Sequence, residues 1–296
     1  MKEESLSYGI VGGGAIGQAL ALALQPAQRQ VLIWDKEPAK SNTESLQTLS
    51  QRSQVIILAV PSFAVRTVLR DIKKLIPQGS CVLTLAKGVE PGFVTMSEVL
   101  EEELGDKHTF GVICGPMLAE DITKGLGGSG ILALSDKHAA ANAIVKDFER
   151  GGLHLSSSPT LEATCLSGVL KNIYSLGLGM LDGLDAGTNR KAALTVQSLE
   201  EMRQIMIQVG NHDEYVVYEL CGLGDLLATG WGKSSRNRQT GQTIADGKRL
   251  DLNSEGLNSL REIDGVLEPA DFPIINCLHH IVLNNAAAEQ LLEVIR

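Results

Sequence analysis

The segment Tyr8–Gly17, Y-G-I-V-G-G-G-A-I-G, decides the fold of this chain. It opens with four residues typical of a buried strand and continues into three glycines and an apolar helical pattern over Ile16–Leu24. In the G-x-G-x-x-G spacing, Gly12 permits a tight turn, Gly14 lets a pyrophosphate approach the backbone, and Gly17 lets the helix pack on the strand. The segment therefore predicts a strand, an anion-binding turn and a helix in direct succession.

An acidic residue follows the second apolar run. Asp35 lies eighteen residues after Gly17, where a carboxylate accepts hydrogen bonds from a ribose hydroxyl of a dinucleotide. This position favours NAD, whereas the adjacent Lys36 suits a 2′-phosphate and leaves NADP as the alternative. A glycine-rich structural turn is the competing interpretation of the loop, but the strand–turn–helix context favours a dinucleotide.

Residues 1–158 alternate short apolar runs with amphipathic stretches. The predicted strands are Tyr8–Val11, Val31–Trp34, Val55–Val60, Cys81–Ala86, Phe110–Cys114 and Ile131–Leu134. The predicted helices between or after them include Ile16–Leu24, Phe63–Leu75 and Lys137–Glu149. Short runs rich in Val, Ile and Leu are typical of buried parallel strands. This half is therefore predicted to be an α/β domain, a Rossmann-type doubly wound sheet that binds the dinucleotide.

From residue 159 the pattern changes to long helices. The predicted helices span about 160–182, 189–209, 255–267, 272–283 and 286–295. We expect residues 159–296 to form an all-helical substrate and catalytic domain.

Composition excludes several classes of protein. The 296 residues carry a formal net charge of -9, which argues against a nucleic-acid partner or an anionic membrane surface. Five scattered cysteines provide neither metal-ligand spacing nor a disulfide framework, so they fit the reducing cytoplasm. The acidic N-terminus is unlike a signal or transit peptide. Lys171 and Asn172 interrupt the apolar stretch 163–181, so membrane insertion is not expected.

Lys171 is the main candidate for catalysis. It is the only charged residue between Glu162 and Asp182, within a pattern typical of a buried helix. A buried ammonium is costly unless it is paired, and such lysines are often retained for chemistry. A lysine that extends to the surface, or one in a structural ion pair, is the alternative. Asn172 supplies an amide that can orient a carbonyl.

Further polar residues follow predicted strands or helices. Lys87 follows a strand, where it suits an anion or a carbonyl, with an ordinary surface lysine as the alternative. Asp225 and Thr229 are four residues apart and share a face if their segment is helical. The run Arg236–Arg238, R-N-R, suits phosphate recognition, although such a run alone is more often a solvated surface.

Motifs in a fixed order across almost the whole chain resemble the NAD(P)-dependent glycerol-3-phosphate dehydrogenase family. They are G-G-G-A-I-G, A-V-P-S, A-K-G-V-E, G-P-x-x-A-E, L-K-N-I-Y, G-L-G-D-L, S-R-N-R-x-x-G and S-E-G followed by F-P-I. The combination of L-K-N, G-L-G-D-L and S-R-N-R is specific. The resemblance implies an oxidoreductase that reversibly reduces dihydroxyacetone phosphate to sn-glycerol 3-phosphate with NAD(P)H and feeds glycerophospholipid synthesis.

The resemblance also implies roles for individual residues. The catalytic residues would be Lys171, Asp225 and Thr229, and the substrate would be bound by Lys87, Asn172, Arg236 and Asn237. The cofactor would be held by Gly12, Gly14, Ala15, Ile16, Gly17, Asp35, Lys36, Pro61, Lys87, Ala119, Arg236 and Glu255. No metal is needed, because the lysine and amides supply the electrophilic role. A homodimer is compatible with the helical half.

Three departures from the family pattern leave other functions open. The segment between Asp35 and Val55 is short. Met117 and Leu118 stand where the family commonly has a small or hydroxyl residue followed by an aromatic. T-G-W-G over Thr229–Gly232 replaces a threonine- and cysteine-containing run. One alternative is a related NAD(P)-dependent reductase of another hydroxy or imino acid. Another is a catalytically silent dinucleotide-binding protein.

Overall fold

The computed structural model of the chain contains two units and describes residues 6–136, 140–210, 213–248 and 253–295, with only the backbone of Gly265 and Pro269. The first unit comprises Met1–Ala86 and Met96–Thr164, and the second comprises Lys87–Thr95 and Cys165–Arg296. The sequence predicted one boundary at 158/159. The division in the structure differs because residues 159–164 pack with the sheet-bearing unit and because a short hairpin packs with the helical one.

The strands of both units are numbered in the order in which they occur in the chain. They are β1 (Ser7–Val11), β2 (Gln30–Trp34), β3 (Val55–Leu58), β4 (Cys81–Thr84), β5 (Val89–Glu90), β6 (Val94–Thr95), β7 (Thr109–Cys114), β8 (Gly128–Leu134) and β9 (Leu153–Ser158). Seven of them form one sheet in the order β2-β1-β3-β4-β7-β8-β9, and β5 and β6 form an antiparallel hairpin. The chain order reverses at β1, so β1 and its neighbour β3 border the crevice where such sheets bind ligands.

Most of the sheet is parallel, as predicted, but one pair is not. Strand β8 runs antiparallel to β7, which corrects the prediction of parallel strands throughout. Strand β9 was not predicted, because L-H-L-S-S-S has only two apolar side chains and lies at the edge of the sheet. Strands β3 and β4 each end two residues earlier than predicted.

The helices of the first unit cover the sheet. They are α1 (Ala15–Leu24), α2 (Leu46–Arg52), α3 (Ser62–Ile72), α4 (Met96–Leu104), α5 (Ala119–Thr123) and α6 (Ala141–Glu149), with 3-10 turns at Gln25–Ala27, Pro38–Lys40 and Gly105–Lys107. Helix α3 ends three residues before the predicted Leu75. The predicted start of α6 at Lys137 lies outside the described residues. Met117, noted as a departure, is buried in the hydrophobic core of this unit, so its side chain serves packing.

The second unit is helical. Its α-helices are α7 (Leu161–Gly183, whose first residues belong to the first unit), α8 (Gly187–Gly210), α9 (Asp225–Trp231), α10 (Arg236–Ala245), α11 (Glu255–Arg261), α12 (Pro273–Leu283) and α13 (Leu291–Val294). Four 3-10 segments lie at Glu214–Tyr218, Ile263–Gly265, Pro269–Asp271 and Ala288–Gln290, and a π-helical turn spans Leu220–Gly224. The predicted helix 255–267 is thus α11 plus a 3-10 turn, and 286–295 contains only short helical segments.

Helix α7 runs through the middle of the helical unit. Every residue from Ala163 to Leu181 is buried, which places Lys171 and Asn172 in the interior. Among the described residues, none of the helices meets the length and apolarity that crossing a membrane requires.

A buried carboxylate on α4 predicts a pH-dependent contribution to stability. Glu103 accepts hydrogen bonds from Lys73 at 2.8 Å, Arg70 at 2.8 Å and Arg66 at 3.1 Å. The bond from Lys73, followed by those from the two arginines, lowers the pKa of Glu103 to about 2. A carboxyl group whose pKa is lower in the folded state than in the unfolded state stabilises the fold at pH values above its ordinary pKa. This stabilisation is lost as the pH falls through the pKa of the folded state. We therefore expect Glu103→Gln to lower Tm at pH 7 and to match wild type near pH 2, with Glu101→Gln as the exposed control.

Candidate active site

The glycine loop forms the first part of the site, in the sheet-bearing unit. Gly12 has φ +107°, and a Cβ there would lie 2.5 Å from the carbonyl oxygen of Ala59, at the end of β3. A Cβ on Gly17 would collide with the carbonyl oxygen of Gly12. By contrast, no described atom lies within 4 Å of a Cβ built on Gly14. The loop is therefore tightly packed at its two ends and open at Gly14, as a turn that admits a pyrophosphate must be.

The start of α1 completes an anion-binding geometry. Gly14 is the N-cap residue and offers no side-chain oxygen to the first-turn N–H groups. These N–H groups and the helix dipole favour a negative group at this end. Ala15 and Ile16 are the first two residues of the helix. The loop thus fits the phosphates of the cofactor predicted from the sequence.

Asp35 is held in place by backbone donors. One carboxylate oxygen accepts a hydrogen bond from the Gly13 N–H at 2.7 Å, and the other accepts one from the Glu37 N–H at 2.9 Å. This fixes the carboxylate beside the glycine loop, where it would oppose a 2′-phosphate. Lys36 is exposed, and the neighbouring Lys40 pairs with Glu37 at 2.7 Å.

Two other predicted cofactor residues lie where strands of the same sheet end. Pro61 is the N-cap residue of α3, after β3, and Ala119 begins α5, after β7. Both positions match the edge of an α/β sheet at which ligands bind.

Lys171 forms the centre of a buried polar cluster in the helical unit. It is 4% exposed, and its Nζ lies 2.7 Å from Thr229 Oγ1 and 3.1 Å from Asp225 Oδ1. Thr229 Oγ1 in turn donates to Asp225 Oδ1 at 3.2 Å. The three side chains therefore form a closed network that joins α7 to α9.

Lys87 joins the same network from the segment before β5. Its Nζ lies 2.6 Å from Asp225 Oδ2, so each oxygen of this carboxylate faces a different lysine. This contact excludes the alternative of an ordinary surface lysine. The π-helical turn Leu220–Gly224 leads into Asp225, and Gly222 has no room for a side chain because the Val217 carbonyl lies against it. Gly222 therefore lets this turn pack closely just before the carboxylate.

The charges determine the protonation of Asp225. Burial alone would raise the pKa of its carboxyl, but the positive charges of Lys171 and Lys87 and their hydrogen bonds hold the pKa below its ordinary value. Asp225 is therefore ionised at neutral pH, and it offsets the cost of burying ammonium groups.

A chain of amides lies next to this cluster. The Gly256 N–H donates to Asn237 Oδ1 at 2.9 Å, Asn237 Nδ2 donates to Asn172 Oδ1 at 2.7 Å, and Asn172 Nδ2 donates to the Lys87 carbonyl at 3.2 Å. Because a backbone donor and a backbone acceptor end the chain, the orientation of both side-chain amides is fixed. Each amide nitrogen retains one hydrogen, which suits an anionic ligand.

The remaining predicted residues occupy helix starts. Arg236, the first residue of α10, is exposed, and no described residue forms a hydrogen bond or ion pair with its guanidinium. Glu255 is the first residue of α11. The Gly256 N–H, which orients the amides, was missed by sequence analysis, because a backbone donor leaves no signal in residue type. The S-E-G motif was the only indication of it.

Comparisons with known proteins agree with this geometry. The family model described as "NAD-dependent glycerol-3-phosphate dehydrogenase C-terminus" matches residues 161–293, and the model of the N-terminus matches residues 41–140. A Fusobacterium nucleatum protein named glycerol-3-phosphate dehydrogenase [NAD(P)+] is 30% identical over 88% of this chain and 82% of its own length. A Listeria monocytogenes protein of the same name is 29% identical over 97% and 94%. The structure of glycerol-3-phosphate dehydrogenase from Coxiella burnetii is 25% identical, with a TM-score of 0.86 and 98% of both chains covered.

Proposed function

Because the chain belongs to the NAD-dependent glycerol-3-phosphate dehydrogenase family, we propose that it reversibly reduces dihydroxyacetone phosphate to sn-glycerol 3-phosphate with NAD(P)H. The observation that carries this proposal is the buried network of Lys171, Asp225, Thr229 and Lys87 beside two oriented amides. It offers a proton donor and anion-binding donors within one unit.

Lys171, Asp225 and Thr229 have different roles in the reduction. A bound NAD(P)H would supply the hydride that the ketone carbon accepts. The Lys171 ammonium donates a hydrogen bond to the ketone oxygen and transfers its proton to that oxygen as negative charge develops. Asp225 keeps Lys171 charged before this transfer, and Thr229 holds the ammonium in a fixed position. In the reverse direction, neutral Lys171 accepts the proton of the hydroxyl.

The substrate phosphate is bound by donors at the start of α10. Arg236 presents a guanidinium that is not engaged by any described residue, and the amides of Asn237 and Asn172 each retain one N–H. Arginine and amide donors match the geometry of phosphate oxygens. A phosphorylated substrate is therefore favoured over the alternative of an unphosphorylated hydroxy or imino acid.

Enzyme assays with purified protein test the function. Oxidation of NADH and of NADPH would be followed with dihydroxyacetone phosphate, dihydroxyacetone, and representative 2-keto and imino acids. Turnover only with the phosphorylated ketone supports the proposal. Turnover of an acid would replace it with the related reductase, and tight cofactor binding without any turnover would favour a silent dinucleotide-binding protein.

Replacing Arg236 by alanine should weaken binding of the phosphorylated substrate. We expect KM for dihydroxyacetone phosphate to rise about 10–100-fold, the range for losing a hydrogen bond to a charged group. Arg236 is exposed, so stability should not change. Lys233→Ala removes an exposed cation from the preceding turn and is the matched control. Unchanged KM and kcat/KM in Arg236→Ala would reject its role.

Asp35 should make the enzyme prefer NADH. Its fixed carboxylate accepts hydrogen bonds from ribose hydroxyls and repels a 2′-phosphate. We expect Asp35→Ser to shift the ratio of kcat/KM for NADH over NADPH toward NADPH by about tenfold or more, because a like-charge repulsion is removed. Glu44→Gln, which neutralises an exposed carboxylate in the same unit, should leave the ratio unchanged.

We also propose that the protein acts in the cytoplasm and that it forms a homodimer, as the resemblance suggested. The five cysteines are all buried and form no disulfide, which fits a reducing compartment. Light scattering of purified protein at several concentrations tests the dimer.

A further inference from the structure

A second ion cluster lies at the end of α7, apart from the Lys171 network. Asp182 accepts hydrogen bonds from Lys191 of α8, at 2.8 and 3.0 Å to its two oxygens. It also accepts a hydrogen bond from Nε of Arg238, the third residue of α10. Arg238, which the R-N-R run had suggested as a phosphate ligand, is thus engaged within the protein.

The same cluster reaches the end of α9. Lys191 Nζ lies 3.5 Å from the carbonyl oxygen of Gly230 and 4.7 Å from the centre of the Trp231 ring, a cation–π distance. Trp231 belongs to the T-G-W-G segment that departs from the family pattern. The contacts therefore touch the last residues of α9 and the first turn of α10, on both sides of the turn 232–235.

Glycines bring α10 against α7 at this place. A Cβ on Gly179 would collide with the Arg238 carbonyl, and a Cβ on Gly183 would lie 2.7 Å from Cβ of Ala245. On the other helix, a Cβ on Gly241 would collide with the carbonyl of Leu176. The two helices thus touch through their backbones. The ion cluster then fixes the end of α10 that carries Arg236.

We propose that Asp182, Lys191, Arg238 and Trp231, here named the α9–α10 clamp, are positioning residues for substrate binding. The clamp holds the turn 232–235, so that α10 presents Arg236 and Asn237 to the substrate phosphate. The inference rests on the proposed function, because the phosphate is the ligand that α10 would bind.

Asp182→Asn tests the clamp, because a carboxamide cannot neutralise the two cations that face it. We expect KM for dihydroxyacetone phosphate to rise about tenfold and kcat to stay within about threefold of wild type. The effect is smaller than the roughly 10²-fold loss of activity that a misplacement of 1 Å can cause, because Arg236 and Asn237 themselves remain. The dissociation constant of NADH should not change. Glu200→Gln, in the exposed Glu200–Arg203 pair of α8, is the matched control and should behave as wild type.

A double variant separates positioning from folding. Asp182→Asn with Lys191→Met restores the net charge of the cluster, so Tm should return toward wild type. KM should remain raised, because Arg238 faces a neutral amide in place of the carboxylate that held it. Recovery of KM together with Tm would show a structural role only and would overturn the proposal, as would an unchanged KM in Asp182→Asn.

The outcome for wild type distinguishes the two proposals. Binding of glycerol 3-phosphate in the presence of NADH, measured by calorimetry, is the reference. If wild type neither binds this ligand nor turns over dihydroxyacetone phosphate, both the proposed function and the positioning role of the clamp are rejected. If wild type does both and Asp182→Asn binds equally well, the clamp alone is refuted.

Discussion

Lys171→Met should reduce kcat by about 10²–10⁴-fold, the range for losing a positioned proton donor. Methionine is close to lysine in length and volume, so the buried site on α7 remains nearly filled. Asp225 keeps its contact with Lys87 at 2.6 Å, and the fold should therefore persist. The NADH dissociation constant should be unchanged. Stopped-flow and steady-state oxidation of NADH with dihydroxyacetone phosphate measure the effect.

Two comparisons make the Lys171 result specific. Lys248→Met replaces an exposed lysine of the same unit and should leave kcat unchanged. Thr229→Val removes one hydrogen bond to the ammonium while keeping the charge, so its loss in kcat should be smaller. A Lys171→Met enzyme with nearly wild-type kcat would remove this residue from the mechanism.

The sequence predicted the individual residues and local segments of this site better than the contacts between them. Lys171 stood out because a lone charge in the apolar stretch between Glu162 and Asp182 has few explanations other than chemistry or an ion pair. The strand and glycine pattern of residues 8–17 likewise predicted β1 and α1, and the resemblance to the family is confirmed. These features are local, so periodicity and spacing reveal them.

Features that depend on distant contacts were harder to predict. Nothing in A-K-G-V-E indicates that Lys87 shares a carboxylate with Lys171, because the two lysines are 84 residues apart in sequence. The direction of β8 depends on the connection before it, which runs through the short helix α5 and not through a full crossover. The role of Arg238 shows the same limit, since only the position of Asp182 decides that its guanidinium binds within the protein.

Asp225→Asn should have the largest combined effect on activity and stability. The amide removes the negative charge that faces both Lys171 and Lys87, and uncompensated buried charges destabilise a protein by about 3–5 kcal/mol. Because the pKa of Asp225 is lowered in the folded state, its stabilising effect is fully present above the ordinary carboxyl pKa and is lost as the pH falls through the lowered folded-state pKa. We expect a large loss of Tm and of kcat at pH 7, with the difference in Tm shrinking in acid. Thermal unfolding at several pH values and NADH oxidation at pH 7 measure the two effects.

A triple variant separates the two effects of Asp225. Lys87→Met, Lys171→Met and Asp225→Leu together remove all three charges and replace them with apolar side chains of similar volume. Replacing a buried ion network in this way is often neutral or stabilising, so the triple variant should be more stable than Asp225→Asn. It should nevertheless have no measurable turnover, because the proton donor is gone. A triple variant as unstable as Asp225→Asn would mean that the charges hold the fold itself. If stability returns without activity, the network is retained for chemistry at a cost in stability.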